Sequence, residues 1–199
     1  MKKLPTIILI AIVALLLCCI AILFLLAPIK GEVFSSIEEV SSLSEDAMSF
    51  QLTSTAFTQG NLIPAQYTCT GEDISPPLAW DEPPAGTQSL ALIMDDPDAP
   101  AGTWVHWVIY NTPASAGSLP ENVPPDAKLA DGSLQGKNSW GKPGYGGPCP
   151  PSGTHRYFFK LYALDAVLTL ASGVTKAELL TAMEGHILGY AELMGTYHK

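Results

Sequence analysis

A run of apolar residues from Leu4 to Ile29, broken only by Pro5, Thr6 and Pro28, sets the first limit on what this chain can become. A helix crosses the hydrocarbon layer with roughly 20 apolar residues, so a run of about 25 is long enough to span it. Lys2 and Lys3 precede the run and no clear small-residue cleavage site follows it, which favours a retained signal anchor over a cleaved signal peptide or a buried hairpin. With the lysines held on the cytoplasmic side, the rest of the chain is translocated. The expected organisation is a transmembrane helix over 1–29, a polar stalk over 30–49 and one extracytoplasmic domain over 50–199 of a single-pass membrane protein. The overall hydrophobic content of 47% is inflated by the anchor, which must be set aside before the fold is read.

Cys18 and Cys19 read as apolar filler of the span, because Leu17 stands where a lipoprotein signal needs a small residue. Cys69 and Cys149 are the cysteines of the translocated part. An oxidising compartment lets them pair, with two separate buried thiols as the alternative. The net charge is −9 and no lysine/arginine run exists beyond the start of the chain. Nucleic acid is therefore not an expected partner, since affinity for a phosphate backbone needs clustered basic side chains.

The stalk mixes Ser35, Ser36, Ser41, Ser42 and Ser44 with Glu32, Glu38, Glu39, Glu45 and Asp46, and Ile37, Val40 and Leu43 allow a short amphipathic helix within it. From Phe50 onward the texture changes to short apolar runs punctuated by Pro, Gly, Asn and Asp, the pattern of a mainly β domain. Strands are expected near Phe50–Ala56, Ser89–Met94, Trp104–Asn111 and Tyr157–Leu164. Thr175 and Glu178 fit a capping box, and Leu179, Leu180, Met183 and Ile187 then recur at helical spacing. A short last strand over Ala191–Tyr197 is expected to follow. Pro113–Thr154 is left as a long Gly/Pro-rich loop, and a loop of that length with Trp140 and Tyr145 in it is expected to be ordered and functional.

Common catalytic signatures are missing. Gly132–Asn138 lacks the spacing of a P-loop and no Gly-x-Ser-x-Gly elbow occurs, so no nucleotide cofactor or serine nucleophile is expected. The remaining chemistry lies at strand ends. Asp95, Asp96 and Asp98 sit where the second strand runs out, and His106 lies in the next, on the face of Trp104 and Val108. His155 precedes the strand at Tyr157, behind the Gly/Pro loop. A lone strand histidine is more often a hydrogen-bonded core residue than a ligand; two of them with nearby aspartates raise the case for a shared pocket.

At these same residues the chain resembles the phosphatidylethanolamine-binding protein family, in its bacterial and archaeal Raf kinase inhibitor-like branch. The likeness is carried by Asp96-Pro97-Asp98-Ala99-Pro100, by Trp104-Val105-His106-Trp107 and by Gly147-Pro148-Cys149-Pro150-Pro151-Ser152-Gly153-Thr154-His155-Arg156-Tyr157, with Ile74-Ser75-Pro76-Pro77-Leu78 as a further segment. The resemblance implies a large central antiparallel sheet, a smaller sheet and a shallow anion pocket lined by Asp96, Pro100, His106, Gly147, His155 and Tyr157, with Asp98 in support. Trp104 and Val105 precede His106 where animal members carry a second histidine, and anchor and stalk fall outside the likeness. The expected ligand is a phosphate-bearing small molecule or lipid headgroup, and a protease or kinase is the expected protein partner. Effects on Raf need a eukaryotic partner and are not carried over.

The residues suit that chemistry in their own right. Imidazoles, the Tyr157 hydroxyl and a backbone N–H at Gly147 are candidate donors to phosphate oxygens, and Asp96 can hold a histidine in its charged form or meet an ammonium group. Two alternatives are weighed beside it. One is an enzyme using Asp96 and His106 as an acid/base pair; the other is a metal site of His106, His155, Asp96 and Asp98, which lacks the local spacing of zinc ligands.

Overall fold

A computed structural model describes residues 50–199. The expected anchor, stalk and stalk helix lie outside the described residues, among which no helix is long and apolar enough to cross a membrane.

The described chain is mainly β, with two antiparallel sheets and one C-terminal helix. Its strands are β1 (Leu52–Thr53), β2 (Leu78–Trp80), β3 (Ser89–Asp96), β4 (Trp104–Pro113), β5 (Ser118–Leu119), β6 (Leu134–Gln135), β7 (Thr154–Leu164) and β8 (Ile187–His198), with helix α1 (Lys176–Met183) before the last. The large sheet runs β6-β4-β3-β7-β8 and the small one β1-β2-β5. Strand β3 lies at the centre and every one of its residues is buried. Alternation divides them: Leu90, Leu92 and Met94 pack with Leu52, Leu78, Trp80 and Leu119 of the small sheet, while Ala91 and Ile93 join Val108, Tyr110, Leu179 and Met183 beneath α1. Side chains that alternate across a pleat thus fill a core on each face of one sheet.

Three strand expectations hold in substance, those at Ser89, Trp104 and Tyr157, and each element runs two or three residues further at one end than its apolar pattern indicates. Others are corrected. The strand expected over Phe50–Ala56 shrinks to Leu52–Thr53, because its partner β2 offers only Ala79 and Trp80 for pairing. The capping box at Thr175 is present in full, but α1 stops at Met183, and Gly185, at φ 78°, turns the chain out of the helix. Ile187 therefore opens β8 instead of closing the helix, and the expected short last strand spans Ile187–His198, paired along β7.

The region between Pro113 and Thr154 is less empty than a loop. It holds β5 and β6, and the buried Gln135 ties it together by accepting from Trp107 Nε1 (2.7 Å) and donating to the carbonyls of Pro124 and Asp126. Asn138 does the same locally, accepting from the Trp140 N–H (3.0 Å) and donating to Gly144 O (3.1 Å). Buried side-chain amides of this kind replace the ladder bonds that an irregular backbone lacks.

Candidate ligand-binding site

The pairing of β3 with β4 slips just where the chemistry begins. Met94 faces Trp107 but Asp95 faces Val105, so His106 is the extra residue of a β-bulge. A bulge reverses the alternation beyond it and re-aims one side chain. Val105 and Val108 consequently pack on the α1 face, and His106 turns with Trp104 to the other side, into a cavity of about 400 Å³. The expectation that His106 shares a face with Val108 fails for this reason: strict alternation does not survive an inserted residue.

The cavity has a polar, buried floor and an apolar rim. Asp96, His106 and His155 line its floor, and Ala99, Pro100, Ala101, Trp104, Trp140, Cys149 and Pro151 its walls and mouth. Asp96 closes β3 and His155 lies near the start of the neighbouring β7, so sheet pairing brings the two together across 59 residues of sequence. His155 Nδ1 donates to Asp96 Oδ2 at 2.7 Å, and Oδ1 of the same carboxylate accepts from the Asp98 N–H at 2.8 Å. Both oxygens of Asp96 are thereby engaged. The acid–imidazole pair in this molecule is Asp96 with His155, not Asp96 with His106 as the enzymatic alternative supposed.

His106 is anchored differently. Its Nδ1 lies 2.6 Å from Gly146 O, and because a carbonyl only accepts, Nδ1 carries the proton. The backbone reciprocates, Gly146 N–H donating to His106 O at 3.1 Å. Trp140 and Tyr157 stand edge-on to the imidazole, each with its ring centre 5.2 Å away. Burial pushes the His106 imidazole below its usual pKa, opposed by the Gly146 carbonyl and by the negative charges of Asp96, Asp73 and Asp95.

The other expected site residues divide. Pro100 lines the mouth. Asp98 is not among the residues that line the cavity and forms a two-pronged ion pair with Arg156, Oδ1 to Nη2 at 2.7 Å and Oδ2 to Nε at 2.9 Å, which lowers its carboxyl to about 2. It gives its N–H to Asp96, and its charge also acts on the neighbouring His155. Gly147 is not a donor to the cavity, since its N–H is spent on Asp73 Oδ1 at 2.7 Å. A glycine is needed there for another reason: a Cβ would come within 2.5 Å of Tyr67 O and 2.6 Å of Asp73 Oδ1. Tyr157 lies behind His106, and its fully buried hydroxyl makes no hydrogen bond, the nearby Cys149 backbone not meeting hydrogen-bond geometry. Burial raises its pKa, so it stays a neutral phenol.

The Cys69–Cys149 disulfide is present, with Cα atoms 5.4 Å apart. It staples the cavity wall at Cys149 to the segment that also receives the Tyr145 hydroxyl on Tyr67 O (2.7 Å) and gives the Cys69 N–H to Pro148 O (3.2 Å). The rim residues Trp104, Trp140, Cys149 and Pro151 escaped the site reading from sequence. Trp140 carried a signal, being a tryptophan in a Gly-rich loop that no apolar periodicity would bury. As for metal, no three His, Cys, Asp or Glu side chains gather as ligands among the described residues.

Residues 53–198 match the family described as Phosphatidylethanolamine-binding protein. A UPF0098 protein of Methanothermobacter thermautotrophicus is 58% identical over 144 residues, covering 72% of this chain and 95% of that one. The crystal structure of a putative phosphatidylethanolamine-binding protein homologue from Chlamydia trachomatis superposes with a TM-score of 0.71 at 47% identity, over 76% of this chain and 98% of that one. YbcL of E. coli, described as a new member of the mammalian family, also reaches a TM-score of 0.71, at 34% identity and over 75% and 98% of the two chains. Sequence and fold agree along the whole described region, and the chain belongs to the phosphatidylethanolamine-binding protein family.

Proposed function

We propose that the chain is a membrane-held, extracytoplasmic binding protein whose cavity receives the anionic head of a phosphate-bearing ligand, either a free phosphate ester or a lipid headgroup. The observation that carries this reading is the floor of the cavity, where two buried imidazoles, each with Nδ1 pinned, line one open-mouthed cavity of about 400 Å³ beside Asp96. Ligand sites of this size combine an apolar lining with a few convergent polar groups. The rim of Pro100, Trp104, Trp140 and Pro151 suits an organic group attached to the phosphate. A protease or kinase partner is read as meeting the same mouth, where Trp140 is 46% exposed.

The cavity lining contains no serine, threonine or lysine and its cysteine is held in the disulfide, while both oxygens of Asp96 and the Nδ1 of each histidine are engaged in hydrogen bonds, which supports binding as the reading. Adding phosphoethanolamine to the full-length chain should change the tryptophan emission saturably, because Trp104 and Trp140 flank the cavity while Trp80 and Trp107 are buried in the core. No saturable change, or the same change after Trp104→Phe and Trp140→Phe together, would place binding elsewhere. The anchor belongs to the proposal as well. It predicts that the chain stays with membranes through a high-salt wash, and recovery of a soluble form beginning near residue 30 would contradict it.

A further inference from the structure

The orientation of the two imidazoles limits the form in which an anion is held. His106 Nδ1–H is committed to the Gly146 carbonyl, and His155 Nδ1–H to the Asp96 carboxylate. Neither acceptor can give a proton back, so in the neutral state both rings carry their only free lone pair on Nε2. Neither Nε2 has a partner among the described residues, and neither is among the buried atoms cut off from solvent, so both open to the cavity. A fully ionised oxyanion brought there would meet two lone pairs beside a carboxylate.

The surrounding charges do not relieve this. Among the lining residues there is no lysine or arginine. Arg156 is taken by Asp98, and Lys160 and Lys176 are both taken by Asp95. The other charged groups that bear on His106 are Asp96, Asp73 and Asp95, all carboxylates, and Asp98 lies close to His155. Tyr157, packed on His106, remains a neutral phenol.

We infer that the cavity binds its anion together with a proton taken from solution, and so favours weak-acid oxyanions, phosphate monoesters above all, over anions that stay fully ionised. This rests on the anion-pocket reading. The proton has two equivalent places. It sits on Nε2 and is donated to a phosphoryl oxygen, or it sits on that oxygen and is donated to Nε2. Either way one proton passes from bulk buffer into the complex, no bond in the ligand breaks, and one Nε2···H···O contact relieves the clash at one of the two imidazoles, the other Nε2 staying free to accept from solvent. A phosphate monoester, whose second ionisation lies near pH ~6, can take that buffer proton onto its own oxygen near neutral pH; a sulfate ester cannot.

The sign follows from linkage. A proton-binding group whose affinity for the proton rises in the complex stabilises the complex at low pH, and the gain is lost as pH rises past its value in the complex. The test is calorimetric titration of the full-length chain with a monoalkyl phosphate near pH ~7.5, in two buffers of different ionisation enthalpy. Proton linkage predicts an uptake approaching about one proton per ligand and, toward alkaline pH, affinity falling up to about tenfold per pH unit. A monoalkyl sulfate is expected to bind more weakly at the same pH. Replacing His106→Gln, which presents a permanent amide donor near the Nε2 position, should reduce the uptake and flatten the pH profile. Saturable phosphate binding with buffer-independent enthalpy and flat affinity across the histidine range would overturn the proton coupling and leave the anion pocket standing. Absence of binding at any pH would overturn both.

Discussion

Asp95 and Asp96 are neighbours at the end of β3, both almost fully buried, yet they serve opposite faces of one sheet and are treated in opposite ways. Asp95 faces the helix side, where Lys160 reaches Oδ1 at 2.9 Å and Lys176, from the first turn of α1, closes on Oδ2. A buried carboxylate met by two permanent cations is a closed account of charge. Asp96, on the other face, receives a backbone N–H and the Nδ1–H of an imidazole, neither of them a permanent cation, and it lines the cavity. The lesson is that burial of a charge does not by itself mark a functional site. What separates the two aspartates is whether the compensating groups are fixed and whether they leave space for something else.

The comparison can be strained in three ways, beginning with the staple that shapes the Asp96 side alone. Changing Cys69 and Cys149 to serine opens a loop of sequence separation 80 and should cost up to about 4 kcal/mol on the chain-entropy account. Denaturant unfolding reads the loss, and anion affinity should fall with it because Cys149 belongs to the cavity wall. A variant that is as stable as wild type and binds as well would show that the wall is held by hydrogen bonds alone.

On the opposite face, Asp95→Ala removes the partner of two lysines. Breaking a buried ion cluster this way costs about 3 kcal/mol, somewhat less here because each lysine side chain is 25% exposed. Stability should drop while anion affinity in the folded protein stays within about twofold, since the lost groups lie across the sheet from the cavity. A larger loss of affinity would mean that the two faces are coupled.

The smallest effect is expected at Tyr157. Its hydroxyl is buried and unpartnered, so Tyr157→Phe removes a desolvated polar atom without breaking a bond, and stability should be unchanged or rise by about 1 kcal/mol. Binding should be unaltered. A marked loss of affinity in this variant would return the hydroxyl to the ligand, where the sequence had placed it.

Much of this arrangement was legible in the sequence and some was not. Strands β3, β4 and β7 announce themselves because their apolar residues are long enough in series to cover a sheet face, and the capping box of α1 is a local signal read correctly. The short strands β2, β5 and β6 are invisible, since two or three residues carry no period and their pairing is decided by distant partners. The bulge at His106 escapes for a related reason: an extra residue is defined only against the strand opposite. The residues themselves suggested one pocket for the histidines and aspartates and the family resemblance named its lining, but neither paired Asp96 with His155. Their hydrogen bond exists because β3 and β7 are neighbours, a fact of topology that no local pattern contains. The N–H of Gly147, expected to serve a phosphate oxygen, meets Asp73 instead, and the glycine is required by the close approach of Tyr67 and Asp73, neighbours that only the folded chain supplies.

The central claim is that the Asp96 face, and not the Asp95 face, holds an anion. It is tested most directly by measuring the affinity of the full-length chain for phosphoethanolamine at mildly acidic pH in wild type and in His155→Ala and Asp95→Asn variants, each first shown to be folded. The account predicts that loss of the His155 imidazole weakens binding by about 1.5 to 3 kcal/mol, the range for a hydrogen bond to a charged group, whereas Asp95→Asn leaves affinity nearly unchanged. Equal affinity in wild type and His155→Ala would contradict it and make both histidines structural residues of the sheet end.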